Sequence, residues 1–433
     1  MPAINSHVVL EIAKDCSKHD ADLFIVYLGN NEVVGPYGAG TVFTPLSSNL
    51  SLIRFGIKFK ATKTGQLLTN LLSLKGSSGT PEVWRGLEMF LEKQVRADDK
   101  NLEVVYRHFQ ENLEDICKVA SRKGIPVLFS TVTSNLKDSP PFSSLHRADI
   151  TDDEEKSWED SYEAGIQFET TGSFAEAVEQ YLKADEIDDS FADLQFRLGK
   201  CLWASGDYQE SKKRYIQARE LDTLRFRADN RINDIIRNVA SDKANEGFYF
   251  VDAMKIFEEQ SPNGVTGEEL FYEHVHMNFS GNYLLARTIN QKVQEVLPER
   301  IRLNKGNLPS EEECAQRLAY TDWEKYSLAY EVLNAYLKKA PFTNQLYNSE
   351  TVRQKEQQLE SFKAHLSKEI LNKAESVHRW AIQQKPSDWF LNFKYAEFLE
   401  EQQNFGTAMK QYSIVLDYVP VPVSYTHLRA HET

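Results

Sequence analysis

Two residues in one short segment, Glu273-His-Val-His276, have the types and spacing for proton-transfer chemistry. His276 stands just before a predicted helix, and Glu273 precedes it by three residues on the same predicted loop. At this spacing the carboxylate can accept the Nδ1–H of the imidazole while Nε2 faces a substrate, as in the base and orienting half of a catalytic triad. Two alternatives stay open: His274 and His276 form a metal-binding pair, although no third ligand is evident, or His276 only caps the helix.

A second polar segment, Gly29-Asn-Asn-Glu32, directly follows the apolar run 22–28. Ligands of open parallel sheets bind where strands end at their carboxyl side, so the side-chain amide of Asn31 is placed to donate to an oxyanion. Ordinary turn chemistry is the competing interpretation. The glycine-rich stretch 35–40 lacks the Gly-Lys-[Ser/Thr] ending of a phosphate-binding loop, and we predict no cofactor.

The elements that position these residues alternate between strands and helices. Nearly unbroken apolar runs predict three buried strands, at 22–28, 124–132 and 247–252. Helical periodicity predicts three helices, at 82–122, 229–240 and 281–296. This order is typical of an α/β domain with a parallel sheet. It predicts that the loop of Glu273 and His276 folds back beside the turn that contains Asn31.

Between the second and third predicted strands the sequence repeats itself. Four residues recur 34 positions later: Gly165, Gly172, Tyr181 and Ala184 as Gly199, Gly206, Tyr215 and Ala218. This is the tetratricopeptide period, in which small residues let two antiparallel helices approach and aromatic residues fill the gap between repeats. A further unit is predicted around Ala396 and Tyr412, and the charged stretch 345–372 predicts a long solvated helix.

Composition limits the classes of protein to which the chain can belong. It has 433 residues, of which 41% are hydrophobic and 26% charged, and a formal net charge of −14. We therefore predict no nucleic-acid partner. The four cysteines form no CxxC pair and are expected to be free thiols. No apolar run approaches the roughly 20 residues of a membrane span, so no membrane segment is predicted.

The order of these features resembles the SGNH/GDSL hydrolase superfamily, and more narrowly bacterial SGNH-like proteins with tetratricopeptide repeats. Four segments within residues 1–300 carry the resemblance: AINSHVVLEIA, DLFIVYLGNNEVVGPYGAGTVF, RFRADNRINDIIR and LFYEHVHMNFSGNYLLA. The resemblance implies a flavodoxin-like α/β fold, incomplete in this chain, together with α-helical repeats. It also implies cleavage or transfer of an acyl ester by a serine, without a cofactor or a metal.

The family's blocks assign a role to each matching position. His276 corresponds to the histidine of the fifth block, which is the general base, and Glu273 stands where that block has its aspartate. Glu is one methylene longer than Asp, so the hydrogen bond to His276 requires a shifted loop. Asn31 corresponds to the asparagine of the third block, a side-chain oxyanion donor. Ala3 stands where the second block usually has glycine, and its backbone N–H is expected to be another oxyanion donor.

The first block of the family, which contains the nucleophilic serine on an earlier strand, has no counterpart in the sequence. Ser6 lies beyond the second block, so topology excludes it as that nucleophile. We therefore predict that the reading frame lost its beginning and that this chain is inactive as a serine esterase. The segment 423–433 resembles translated adapter sequence and is excluded from the fold. Arg225 and Arg227 are expected either to form structural salt bridges or to contact an anionic substrate group.

The predicted organisation has five parts: α/β residues 1–150, inserted repeats 151–222, α/β residues 223–300, a helical region 301–422 and the tail 423–433. Two functions stay open. One is an ester hydrolase or O-acyltransferase whose repeats bind a protein or peptide partner. The other is a non-catalytic interaction scaffold built on a degenerate SGNH domain and the repeats. The compartment is not indicated, because an N-terminal anchor or export signal would lie in the part we expect to be missing.

Overall fold

The computed structural model describes residues 4–44, 46–67, 86–242, 247–299, 302 and 308–418 of the 433-residue chain. These residues are mostly helical and include one small parallel sheet. The chain divides into two compact units, Met1–Asn304 and Lys305–Thr433. Ala3 and the segment 423–433 lie outside the described residues.

Three parallel strands form the sheet of the first unit, in the order β1 (Phe24–Tyr27), β2 (Val127–Ser130) and β3 (Phe248–Val251). β1 pairs with β2, and β2 with β3, along the full length of each strand. All four residues of β2 are buried, as expected for the central strand of a parallel sheet covered on both faces. Each strand lies inside the apolar run that predicts it.

The main α-helices of the first unit are α1 (Ser6–Cys16), α2 (Leu50–Ala61), α3 (Asn101–Ser121), α4 (Asp152–Thr170), α5 (Phe174–Ile187), α6 (Ala192–Ala204), α7 (Tyr208–Leu221), α8 (Asn230–Asp242), α9 (Ala253–Gln260) and α10 (Phe279–Val296), and residues 63–67 are helical as well. Side chains of α1, α3 and α8 pack around Val127 and Phe129 of β2. Leu128, which points to the opposite face, packs beside Val251 against side chains of α10. Helices therefore cover both faces of the sheet.

The prediction of one helix over 82–122 is wrong in its extent, because α3 begins only at Asn101. Leu87–Phe90 forms a short 3-10 helix, and turns follow it. The side chain of Asp98 bonds to Arg96 (2.9 Å), and that of Asp99 accepts the backbone N–H of Asn101 (2.8 Å). Such local bonds from aspartate compete with helical hydrogen bonds, which explains the late start of α3.

Two helical hairpins, α4–α5 and α6–α7, are inserted between β2 and β3. A Cβ atom at Gly165 would lie 2.3 Å from the ring of Tyr181, and one at Gly199 would lie 2.9 Å from the ring of Tyr215. Both pairs are 16 positions apart in the sequence. The repeated glycines therefore make room for the repeated tyrosines, which is the packing that the 34-residue period predicts.

The second unit is helical throughout its described residues: α11 (Glu311–Arg317), α12 (Asp322–Glu331), α13 (Asn348–His365), α14 (Lys368–Gln384), α15 (Trp389–Glu401) and α16 (Phe405–Tyr418), with a π-helical turn at Val332–Leu337. The prediction of one long helix over 345–372 is wrong. α13 ends at His365, and Ser367 starts α14 by accepting the backbone N–H of Ile370 (3.4 Å).

The last hairpin, α15–α16, uses the same tyrosine contact as the first. The hydroxyl of Tyr412 donates to Glu400 (2.8 Å), and that of Tyr181 donates to Glu169 (2.6 Å). In both hairpins the glutamate lies four residues after the small residue of the pattern, which in the second unit is the buried Ala396. The two units therefore contain hairpins of related design.

None of the described helices is long and apolar enough to cross a bilayer. All four cysteines are free thiols, as the sequence predicts: Cys16, Cys117, Cys201 and Cys314.

Candidate functional site

A closed loop between α9 and α10 contains Glu273 and His276. Phe271 and Met277 pair in an antiparallel bridge at the base of the loop, and both side chains are buried. The backbone N–H of Tyr272 donates to the carbonyl of His276 (2.8 Å). These contacts place the Glu273–His276 segment at the tip of a short, internally bonded loop.

The N-cap of α10 is Asn278. Its side-chain oxygen accepts the backbone N–H of Gly281 (3.0 Å), and its amide donates to the carbonyl of Glu269 (3.0 Å). The interpretation of His276 as only a helix cap is therefore wrong.

The carboxylate of Glu273 contacts the imidazole of His276 directly. Oε1 of Glu273 contacts Nδ1 of His276 and accepts the backbone N–H of the same residue (2.8 Å). Glu273 is 5% exposed, whereas the side chain of His276 is 59% exposed. The extra methylene of Glu, compared with Asp, does not prevent the contact. With Nδ1 turned to the carboxylate, Nε2 lies on the opposite side of the ring, as in a general base with its orienting group.

A second imidazole, that of His274, contacts the other oxygen of Glu273. Oε2 contacts Nδ1 of His274 and accepts its backbone N–H (2.7 Å). Burial, with smaller contributions from His276 and Arg227, lowers the pKa of His274 well below its ordinary value. We therefore assign a neutral ring near pH 7 with its proton on Nδ1, where the carboxylate can accept it. Two ring nitrogens and two backbone N–H groups thus fix the orientation of the Glu273 carboxylate.

Asn31 lies in the turn after β1, and its side-chain amide donates to the carbonyl of Ile4 (3.2 Å). Ile4 directly follows Ala3, where the second oxyanion donor is predicted, but Ala3 is outside the described residues. An amide has two N–H groups, so the bond to Ile4 uses one and orients the other. The side chain of the adjacent Asn30 accepts the backbone N–H of Ala228 (3.1 Å), which ties the turn to the segment before α8.

The Asn31 turn follows the carboxyl end of β1, and the backbone of His274 is bonded to Asn135 in the segment that follows the carboxyl end of β2, so the turn and the loop lie at the same edge of the sheet. Tyr27, the last residue of β1, packs against the cluster of Phe271 and Met277 at the base of the loop. The loop therefore extends across the end of β2 towards β1.

Arg225 and Arg227 are buried and have internal partners. Arg227 pairs with Asp222 (3.1 Å) and donates to the carbonyl of Asn135 (3.1 Å). Arg225 pairs with Asp229 (3.4 Å). These contacts favour the structural interpretation of both arginines over contact with a substrate.

Asn135 links Arg227 to the candidate site. Its backbone N–H donates to the carbonyl of His274 (2.9 Å), while its own carbonyl accepts from the guanidinium. The segment after β2 therefore helps to hold the Glu273–His276 loop in position.

The role of Glu32 is not evident from the sequence. This carboxylate is buried and accepts both the backbone N–H (2.8 Å) and the hydroxyl (2.8 Å) of Ser6, the first residue of α1. Burial raises the pKa of Glu32 to about 7, although the bonds from Ser6 lower it. Because Glu32 adjoins Asn31, it anchors the Asn31 turn to α1. One feature of the sequence could have indicated this role: Glu32 is followed by Val33 and Val34. A carboxylate next to buried apolar residues needs a buried hydrogen-bond partner.

The loop also has the composition of a metal site. Ligand atoms of Glu273, His274 and His276 lie within 4.8 Å of one another. Glu273 thus supplies the third ligand that is not evident from the sequence of the His274–His276 pair. The two backbone N–H groups that donate to Glu273 satisfy both of its oxygens without a cation. The absence of a metal stays a prediction.

Comparison with known proteins does not assign a family: no protein-family model matches the chain, and no curated protein matches it.

Proposed function

We propose that the first unit is an SGNH-type domain for ester hydrolysis or O-acyl transfer, with His276 as general base and Glu273 as its orienting carboxylate. One observation carries the proposal: the buried Glu273 carboxylate contacts Nδ1 of the exposed His276 at the carboxyl edge of a parallel sheet. Parallel sheets bind ligands at this edge. Helices on both faces of the sheet are compatible with the flavodoxin-like architecture that the proposal requires.

Asn31 completes the proposed site as an oxyanion donor. In the proposed reaction, a hydroxyl attacks the acyl carbonyl and loses its proton to Nε2 of His276, and negative charge develops on the carbonyl oxygen. The amide of Asn31 stabilises that oxygen, and the protonated imidazole returns its proton to the departing alcohol. Hydrolysis or transfer then depends on whether water or a second alcohol removes the acyl group.

The nucleophile of the family is a serine for which we find no counterpart in the sequence. In this chain we therefore expect His276 to activate water, which cleaves only reactive esters and forms no acyl-enzyme. The experiment measures hydrolysis of p-nitrophenyl acetate by the 433-residue chain and by the H276Q variant, together with fluorophosphonate labelling. We expect slow hydrolysis without a burst, loss of that hydrolysis in H276Q, and no labelled serine.

The matched control is H365Q, because the side chain of His365 is 64% exposed and lies in the second unit. Equal rates in the wild-type chain and H276Q would remove the base role of His276. A fluorophosphonate adduct on any serine would show that the nucleophile belongs to this chain and that our assignment of the site is wrong.

A second candidate function is a non-catalytic scaffold that binds a protein or peptide through the helical hairpins. One contact favours it: one of the two N–H groups of the Asn31 amide already donates to the carbonyl of Ile4, which leaves a single N–H for an oxyanion. Stacked helical hairpins bind peptides and partner helices. Unchanged ester hydrolysis in H276Q, together with selection of a peptide from a displayed library by the hairpins, would favour this function.

A further inference from the structure

The helix α2 exposes an apolar face that the core does not use. Leu52, Phe55 and Phe59 are 63%, 67% and 38% exposed. The rings of Phe55 and Phe59 stack with their centroids 6.1 Å apart. At 3.6 residues per turn, the three side chains leave the helix within about 60° of one another. They therefore form one patch and are not isolated surface residues.

The opposite face of α2 attaches the helix to the protein. Leu50 and Ile53 are buried. Arg54 pairs with Asp115 of α3 (2.6 Å) and donates to Asn112 of the same helix (3.2 Å). The outer apolar face is therefore not needed to hold α2 in place.

Lysines flank this outer face. By helical geometry Lys58 and Lys60 leave α2 about 90° to either side of the patch. Both are exposed, and neither forms an ion pair with a described carboxylate. The surrounding stretch 33–81 has five basic residues and no acidic one, within a chain of net charge −14. The apolar patch is thus bordered by two lysines that have no acidic partner among the described residues.

A comparison with α16 shows that an exposed apolar face is not always bordered by basic residues. Phe405 and Met409 of α16 are 62% and 68% exposed, so they form an apolar surface of similar size. However, the acidic residues Glu400 and Glu401 end the preceding helix, and only Lys410 is basic on α16 itself. Apolar exposure occurs on both helices, whereas charge that would attract an anionic surface occurs on α2.

We propose that α2 is an interfacial helix that lies on an anionic bilayer surface. Leu52, Phe55 and Phe59 insert at the boundary between headgroups and acyl chains, while Lys58 and Lys60 extend to the lipid phosphates. The apolar and aromatic side chains favour a bilayer over a nucleic acid, which offers no apolar interior, and the flanking lysines match anionic headgroups. The axis of α2 then lies parallel to the bilayer surface. This binding does not depend on the function proposed for Glu273 and His276.

The test is co-sedimentation of the full chain with vesicles of phosphatidylcholine, with and without phosphatidylglycerol. We expect binding to the anionic vesicles, weak binding to the neutral ones, and a decrease as salt is raised. F55S/F59S should weaken binding roughly 100-fold, because each ring that no longer inserts into the bilayer costs about tenfold. K58Q/K60Q should weaken it roughly 30-fold on anionic vesicles and leave binding to neutral vesicles unchanged.

The matched control is F405S/M409S on α16, which should bind like the wild-type chain. Thermal unfolding should remain cooperative in every variant, with the largest shift in F55S/F59S, because Phe59 is only 38% exposed and stacks on Phe55. Three results would overturn the proposal: no binding to anionic vesicles at low salt, equal binding to both kinds of vesicle, or equal losses for F55S/F59S and F405S/M409S. Retention on a polyanion resin without vesicle binding would assign the lysines to an acidic polymer instead.

Discussion

Two buried glutamates at the carboxyl edge of the sheet, Glu273 and Glu32, have contrasting environments. Glu273 has four nitrogen partners, which are the backbone N–H groups and the ring Nδ1 atoms of His274 and His276. Among the described residues, Glu32 accepts only from the backbone N–H and the hydroxyl of Ser6, and burial raises its pKa to about 7. Only Glu273 contacts a side chain that reaches solvent.

The difference shows that burial alone does not mark a functional carboxylate. A buried carboxylate serves chemistry when it orients a group that can meet a substrate, as Glu273 does for His276. Glu32 instead joins the Asn31 turn to the start of α1, so it acts on the fold. Substitution of each glutamate in turn tests whether the two have these separate roles.

The largest effect we expect is on stability, at Glu32. Its pKa of about 7 in the folded protein lies above the ordinary value of 4.5 for glutamate, so the folded state binds the proton more tightly than the unfolded state. The free energy of unfolding therefore falls as pH rises from about 4.5 to above 7, by about 3 kcal/mol from this group. E32Q cannot titrate, so its stability relative to wild type should rise by this amount between pH 4.5 and 8. Urea denaturation across that range measures the difference.

Other buried groups titrate in the same pH range. The contribution of Glu32 is therefore the difference in free energy of unfolding between E32Q and wild type at each pH, and not the pH dependence of the wild type alone. Burial also raises the pKa of Asp193 to about 7, and D193N should remove a separate fall in stability. Burial lowers the pKa of His7 to about 3, which makes stability rise with pH up to about 6.5. A pH-independent difference between E32Q and wild type would show that Glu32 is not buried as described.

The next effect is on ester hydrolysis, at Glu273. E273Q should lower the His276-dependent rate on the order of 10²-fold, because an amide cannot hold the imidazole in the correct tautomer as a carboxylate does. E32Q should keep a rate within about threefold of wild type at pH 6, because the pKa of Glu32 is about 7 and its carboxyl is then largely protonated, like the neutral amide. The rates with p-nitrophenyl acetate decide this. Equal losses in E273Q and E32Q would mean that both glutamates act only through the fold.

The strands and the local part of the site could be predicted from the sequence, because both depend on short-range patterns. Apolar runs indicated β1, β2 and β3, and a spacing of three residues indicated the contact of Glu273 with His276. The catalytic role of that pair stays a prediction. The bond between Glu32 and Ser6 joins positions 26 apart, and no periodicity encodes such a pair.

Helix limits were predicted less well than strands. α3 begins at Asn101 because Asp99 bonds to its backbone, a side-chain choice that hydrophobic spacing does not reveal. His274 was interpreted only as half of a metal pair, since the sequence does not show that its ring is buried against Glu273. The hairpins were predicted well because the Gly165–Tyr181 contact recurs at a fixed period.

A smaller effect on hydrolysis is expected at His274. H274L removes the ring nitrogen that contacts Oε2 of Glu273 and should lower the His276-dependent rate about tenfold, the effect of losing one charge-assisted hydrogen bond. H274N places an amide near the position of Nδ1 and should recover most of the rate. If both variants lose the rate equally while thermal unfolding shifts, His274 serves packing against Phe142 and not the orientation of Glu273.

The smallest effect we expect is that of added metal. Glu273, His274 and His276 have the composition of a zinc site, but both oxygens of Glu273 already accept backbone N–H groups. A zinc ion on Nδ1 of either histidine would have to displace the carboxylate from the contact that orients the ring. Isothermal titration with ZnCl₂ should therefore show no stoichiometric binding that H276Q abolishes, and EDTA should leave ester hydrolysis unchanged. One tightly bound zinc ion per chain, lost in both E273Q and H276Q, would show that the loop is a metal site. Glu273 would then be a metal ligand and not the carboxylate that orients His276.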